Sequence, residues 1–269
     1  MSGPLNVTAL IDSLLYFCLL GLAFGPLERA FASRNQPFFR AEWFTDFLFF
    51  LGGNLIWTRL TLWILSALSA FFTGAGLVKL QSTFGALPLF LQCLLVVFLS
   101  DFLIYWGHRL SHRLDFLWRF HAVHHSARQL DWLAAFREHP LDNIYTRLIV
   151  NLPALVLGLP LEVIGSFILF RGLWGNFIHS NSDLPLGPLQ FLLGSPRLHH
   201  WHHDQERNGS CNFGNLNPLL DLLFGTYYDP GRMPLRYGYS GNPGGGYLSQ
   251  ILSPLGVNIG RHLDGQGRA

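Results

Sequence analysis

Three long apolar runs constrain this chain more than any other feature. A helix needs about 20 apolar residues to cross a bilayer core. Residues 5–24 supply them, interrupted only by Asn6, Thr8, Asp12 and Ser13 near the start. No positive stretch precedes the run and no small-residue cleavage site follows it, so it reads as a retained helix rather than a leader. The second run, 43–72, contains Gly52, Gly53, Asn54 and Arg59, and is either long and tilted or broken. An arginine at mid-membrane costs about 2.5–3.5 kcal/mol on insertion scales, so Arg59 is expected to face protein or water. The third run is 84–106. Two shorter runs, 144–157 and 161–177, flank Gly158-Leu159-Pro160. With so short a connection they read as a helical hairpin that enters the membrane and returns on the same side.

Composition agrees. Only 13% of residues are charged, against about 25% in ordinary soluble domains. Half are hydrophobic, which excludes intrinsic disorder. That balance also argues against a soluble enzyme of 269 residues. A net charge of +2 without a Lys/Arg-rich patch gives no sign of a nucleic-acid partner. Cys18, Cys93 and Cys211 form neither a ligand spacing nor a disulfide framework.

Lys and Arg distribution sets the expected orientation. Arg29, Arg34 and Arg40 lie between the first two runs, and only Lys79 lies between the second and third. Arg109, Arg113, Arg119, Arg128 and Arg137 follow the third. The Arg-rich segments therefore share one side, expected to be the cytoplasm. The hairpin, with Arg147 and Arg171 on its arms, starts and ends there. From Asn181 onward the chain is richer in Gly, Pro and polar residues; 242–246 reads as a loop and the tail beyond Gly260 as frayed. The expected fold is all-α and integral to the membrane, with four or five embedded helices and a cytoplasmic histidine-rich cap.

Histidine is the anomaly. Eleven of the twelve lie between positions 108 and 203. HRLSH places His108 and His112 four apart, HAVHH holds His121, His124 and His125, and HHWHH holds His199, His202 and His203. Residues three and four apart share a helix face, so each cluster can aim two or three imidazoles at one point. By the expected topology all three lie at the same membrane surface. A lone histidine is ordinarily a surface or core residue, and His262 is read that way. A His-lined proton path would string residues along the membrane normal, whereas these cluster at one level.

Neutral imidazole suits Zn, Cu, Fe and Ni. A tetrahedral zinc site uses four ligands, so eight or nine in one patch imply two metals. The cysteines usual in closed zinc sites are absent. A metal pair beside hydrocarbon fits dioxygen activation on a lipid. Cleaving an unactivated C–H bond needs a redox metal, which favours iron, with copper second.

HRLSH, LWRFHAVHHS and PRLHHWHHD resemble the three histidine boxes of the fatty acid hydroxylase/sterol desaturase superfamily, integral-membrane non-haem di-iron oxygenases. The resemblance runs from about Asp101 to Gly238 and includes DFLIYWGHRLSH, REHPLD, the FIHSN around His179 and NFGNLNPLLDLLFGTYYDP. It implies that His108, His112, His121, His124, His125, His199, His202 and His203 bind two iron ions, with O2 as co-substrate. It also implies a ligand at His179. Some members carry a second histidine four residues earlier, where this chain has Gly175. His139 either completes the set or supports it, and His200 occupies a variable box position that points away. The whole chain is then one membrane-embedded domain. Residues 1–83 supply transmembrane helices, 84–238 the catalytic core and 239–269 a C-terminal tail.

Metal-bound imidazoles usually donate their second N–H to a carboxylate or carbonyl. Asp101, seven residues before His108 on the same predicted helix face, is the expected acceptor and the candidate catalytic carboxylate. Asp204 and Glu138 are further candidates. Asp221 is expected to pair with Arg137 or Arg197, and Asn212 and Asn215 to turn a loop. Trp118, Trp132, Trp174 and Trp201 either line an acyl channel or sit at the membrane interface.

The leading expectation is a multi-pass enzyme that hydroxylates a membrane lipid, be it fatty acyl, sterol or sphingoid. Desaturation shares the first hydrogen abstraction. No CxxC, dinucleotide fingerprint or HPGG appears; His139-Pro140 continues with Leu141-Asp142. Electrons would come from a separate donor, a cytochrome b5-like protein, ferredoxin or flavin reductase, docked on the Arg-rich face. A metal transporter would need acidic or histidine residues along several spans. Asp12, Asp46, Arg59, Glu162 and Arg171, at the ends or middles of the runs, make no path. A non-catalytic scaffold would show broken boxes, and these are intact.

Overall fold

The structure is a computed structural model that describes residues 7–74, 76–184, 186–241 and 245–257. Three helices are long and apolar enough to cross a membrane: Val7–Ala30, Trp43–Gly74 and Leu89–Ser111. The first, α1, is one uninterrupted helix over most of the first run. The second is continuous but not uniform. Helix α2, Trp43–Gly52, passes through a π-helical turn, Gly53–Trp57, into α3, Thr58–Gly74. Gly52-Gly53-Asn54 therefore widens the helix without breaking it, as π-bulges do. Arg59 lines a small hollow with Thr8, Asp12 and Ser13. A short α4, Val78–Gly85, precedes α5, Leu89–Ser111.

The expected hairpin is present as α7, Pro140–Val156, and α8, Leu161–His179. Gly158 takes a φ of +76° in the tight connection, a conformation that favours glycine. Pro160 then caps α8. Helix α7 packs closely on α5: a Cβ at Gly107 would lie 2.9 Å from Ile149 Cδ1. The polar part of the chain folds into short pieces: α6 (Asp115–His121), a 3-10 turn Trp132–Phe136, α9 (Pro196–His202), α10 (Leu219–Leu223) and α11 (Tyr247–Leu252). No strand occurs among the described residues, only isolated bridges such as Ala32 with Ser182.

The spanning helices show their apolar side chains outward. Leu15, Leu19 and Leu22 on α1, Trp63 and Phe71 on α3, and Phe90 and Phe98 on α5 are exposed. That much exposed apolar surface suits a lipid surround, not water. Inside, Leu20 and Phe24 pack with Phe50, Trp132 and Leu133. Phe17 lies edge-on to Phe47 and Phe50. This aromatic contact joins α1 and α2 to the polar end of the molecule.

A buried ionic cluster fixes that junction. Arg40 meets Asp46 at 2.6 Å and also Asp131; Arg137 meets Asp46 and Glu42. Asp131 further accepts from the backbone N–H groups of Leu133 and Ala134, capping the 3-10 turn. Buried charges are tolerable only when so paired.

Candidate metal centre

Each histidine is presented by a short, locally fixed element. His108 and His112 lie at the C-terminal end of α5, one turn apart. His121 ends α6, and His124 and His125 form the 3-10 turn that follows. His179 is the last residue of α8. His199 and His202 lie on α9, which starts at Pro196, with Ser195 Oγ accepting from the Leu198 N–H. His203 follows directly.

The fold collects these residues into two groups. His108, His112, His121, His125 and His202 form one; His124, His179, His199 and His203 form the other. Within each group one ring nitrogen per residue lies within 4.8 Å of the others. The groups adjoin: the His125 and His203 rings stack with centroids 4.4 Å apart. All nine are buried except His112, which is partly so.

Hydrogen bonding decides which nitrogen is free. His108 Nδ1–H donates to Phe213 O at 2.9 Å, His124 to Arg137 O at 3.1 Å, His179 to Gly175 O at 2.8 Å and His202 to Cys211 O at 2.7 Å. His121 Nδ1–H donates to the Asp142 carboxylate at 2.9 Å. A carbonyl only accepts, so in each case the proton is on Nδ1 and Nε2 carries a lone pair. His179 Nε2 nevertheless lies 3.1 Å from His124 Nε2. Two lone pairs facing at that distance repel unless a cation sits between them. Further, Nε2 of His112, His121 and His202, Nδ1 of His199 and His203, and both nitrogens of His125 are buried without a partner. Each neutral ring leaves one lone-pair nitrogen, and lone pairs gathered in two groups match what metal ions require; the carbonyls and the carboxylate that accept from Nδ1 match the usual support of a metal-bound imidazole.

Electrostatics favours the ligating form. Burial lowers His121 to about 3 and His124 to about 4, the latter helped by its neighbour His121. Burial, then His112, lowers His125 well below its ordinary value. These rings are neutral at neutral pH, as ligation needs.

Other expected residues are elsewhere. Asp101 does not hold a first-cluster imidazole. Its carboxylate meets Arg171 of α8 at 2.7 Å, and Phe213 O takes the His108 proton. Seven residues return Asp101 to the same face as His108, but about 10 Å along the axis, and Arg171 lies within its reach. His139 is fully used: its Nε2–H donates to Ile251 O and its Nδ1 accepts from the Leu141 N–H. His200 Nε2–H donates to His179 O, and Tyr237 O–H donates to His200 Nδ1 at 2.7 Å. Glu138 accepts from Asn143 Nδ2, and Asp204 from the Arg207 N–H. Asp221 pairs with neither Arg137 nor Arg197. It accepts from Phe213 N–H, Gly214 N–H and Thr226 Oγ1, bracing the loop whose Phe213 carbonyl holds His108. Asn212 has a φ of +54° and binds Leu198 O and Tyr228 O, a turn role. His262 lies outside the described residues.

Two residues at the centre are not among the site residues expected from the sequence, although Asp142 ends the REHPLD stretch. Asp142 stands in the first turn of α7, where an acidic residue ordinarily serves the helix dipole. Gly209 has a φ of +67°, and a Cβ there would lie 2.1 Å from His112 Cε1.

A cavity of about 470 Å³ reaches both groups. His108 and His121 of the first group and His124, His179 and His199 of the second line it. Its other wall is formed by Phe49, Leu62, Ile104, Ile168, Leu169 and Trp174 from the apolar helices. Trp118 packs on His112 and His125, Trp132 belongs to the core, and Trp201 donates to Arg232 O.

Fold and site together define a helical, membrane-type protein with a nine-histidine centre at the end of its spanning helices. Residues 93–226 match the sequence model of the fatty acid hydroxylase family, and the chain belongs to the fatty acid hydroxylase superfamily. An ornithine lipid hydroxylase of Rhizobium tropici is 36% identical over 173 residues, 62% of this chain and 51% of that protein. The human alkylglycerol monooxygenase is 35% identical over 130 residues, 47% of this chain and 28% of that protein. A protein of Arabidopsis thaliana named putative Delta(7)-sterol-C5(6)-desaturase 2 is 28% identical over 174 residues, 62% of this chain and 60% of that protein. The chain thus spans about half of the first of these proteins and less than a third of the second. No solved structure matches it.

Proposed function

We propose that the chain is a membrane-bound di-iron oxygenase that hydroxylates a lipid with O2. One iron would be held by His108, His112, His121, His125 and His202, the other by His124, His179, His199 and His203. The observation that carries this reading is the shared cavity: both histidine groups open into one space walled by the apolar helices. Bound iron would supply O2 activation and cleavage of a C–H bond.

The chain's own residues do the rest. Asp142 and four backbone carbonyls keep the proton on Nδ1, so each Nε2 points inward as a lone pair. Arg137, locked by Asp46, positions the carbonyl that orients His124. Trp118 covers His112 and His125 and helps exclude water. The apolar wall takes the lipid chain. Electrons come from a separate donor, cytochrome b5-like, ferredoxin or flavin reductase. Exposed Arg113, Arg119 and Arg128 beside the histidine segments suit an acidic partner. In the proposed orientation this face is cytoplasmic.

The relatives' names include both hydroxylase and desaturase. Expression in a bacterial host with heavy-oxygen gas, followed by lipid mass spectrometry, separates the outcomes. Hydroxylation adds one labelled oxygen to a host lipid, and only when the histidines are intact. Loss of two hydrogens without label would instead mean desaturation. An unchanged lipidome beside a metal-loaded, folded chain and a competent reductase would contradict the reading.

A further inference from the structure

The cavity carries charge and unpaired N–H groups that ligation and a plain hydrocarbon chain leave unused. Arg147 of α7 lines it. Its Nε–H donates to Asn143 Oδ1 at 3.0 Å. Among the described residues its terminal amines have no hydrogen-bond or ion-pair partner. Arg171 lines the same cavity, but Asp101 meets its charge. Glu138 reaches Arg147 only through Asn143, whose Nδ2 donates to it.

Two neutral donors add to this. Trp57 Nε1–H and Asn176 Nδ2–H are buried in the cavity wall without a partner, and Asn176 is only 3% exposed. Asn215 Oδ1 is an unpaired acceptor there. Unpaired donors in a low-dielectric space are costly, and the partly buried Arg147 adds a positive charge that no neighbouring carboxylate among the described residues meets. The ligand that removes the penalty is acceptor-rich and negative.

The geometry points to a seat at Arg147 for the anionic head of an amphiphilic lipid, a carboxylate or a phosphate. The chain of that lipid lies on Leu62, Ile104, Ile168 and Leu169. This rests on the lipid-oxygenase reading and narrows its substrate class. It also predicts where on the chain oxidation falls. Arg147 follows Asp142, which holds His121, by five residues, about 7.5 Å along the helix. The bond to Asn143 leans the guanidinium back toward that end. The oxidised carbon is therefore near the head, not at the far end of the chain.

The test is direct binding to the full chain in a nonionic detergent, with hexadecyl phosphate, palmitate and hexadecanol as probes. At least one anion should bind about tenfold or more tightly than hexadecanol, the usual worth of a hydrogen bond to a charged group. The tighter anion identifies the head as phosphate or carboxylate. Arg147→Met should remove the preference while hexadecanol binding stays, and Arg147→Lys should keep part of it. Trp57→Phe should weaken the anions by a smaller factor. The proposal is overturned if hexadecanol binds wild type as tightly as both anions, or if the preference survives in Arg147→Met. The wild-type comparison stands even if a variant fails to fold. Binding needs no turnover, so an anion preference without oxygenation would sink the oxygenase reading alone.

Discussion

The two ends of this molecule are held by opposite means. Helix α1 buries only Ser13, Leu20 and Phe24 along its length. Helix α9, a third as long, buries every residue except Arg197. The spanning helices need apolarity and little else on most faces, so most of their positions are interchangeable. The histidine end fixes side chains one by one, and five of its nine histidines are each tied to a named carbonyl or carboxylate. Stability is spread along the first region and concentrated by residue in the second.

The largest expected contrast follows from the histidines. His202→Ala removes a ring whose Nδ1 is anchored on Cys211 O and whose Nε2 faces the first group. It should abolish lipid oxidation and lower bound iron, leaving the spanning helices inserted. His200→Ala, two positions away, should keep the iron. It strands the Tyr237 hydroxyl and costs about 1–3 kcal/mol of stability. Iron analysis and thermal unfolding on both variants check this; iron loss in His200→Ala would move that residue into the site.

Next come two glycines. Gly209→Ala must place a methyl on His112 in a left-handed conformation. Strain alone costs about 1–3 kcal/mol, and displacement of His112 should remove most activity. Gly25 in α1 has no atom within 4 Å of a built Cβ. Gly25→Ala should shift stability by less than about 1 kcal/mol, in the favourable direction of helix propensity. Equal effects at both would erase the contrast between the two regions.

A milder test separates two carboxylates. Asp142→Asn removes the charge behind His121 and should cost about 10–100-fold in metal affinity or activity. Asp101→Asn breaks the pair with Arg171 and should lower thermal stability while leaving iron content at the wild-type level. Iron loss at Asp101 and none at Asp142 would reverse the assignment of their roles.

The same division governs what the sequence could tell. Apolar run length located the three spanning helices, and helical spacing grouped the histidines, because both signals are carried by side chains in order. The π-helical turn at Gly53–Trp57 kept the second run continuous, a choice that Gly52-Gly53-Asn54 alone left open. Periodicity placed Asp101 on the face of His108, but it carries no information about Arg171 arriving from another helix. The acceptors on Phe213, Arg137, Gly175 and Cys211 are backbone carbonyls, which any residue supplies. Asp142 looked like an ordinary first-turn acid. Gly209 looked like a loop glycine.

The most direct measurement is the metal content of the purified chain, counted per protein molecule by mass spectrometry. Two histidine groups with converging lone pairs predict two irons per chain. His199→Ala and His202→Ala, one from each group, should each fall below two. A chain that holds no metal, one metal, or zinc alone while showing full lipid oxidation would contradict the di-iron account.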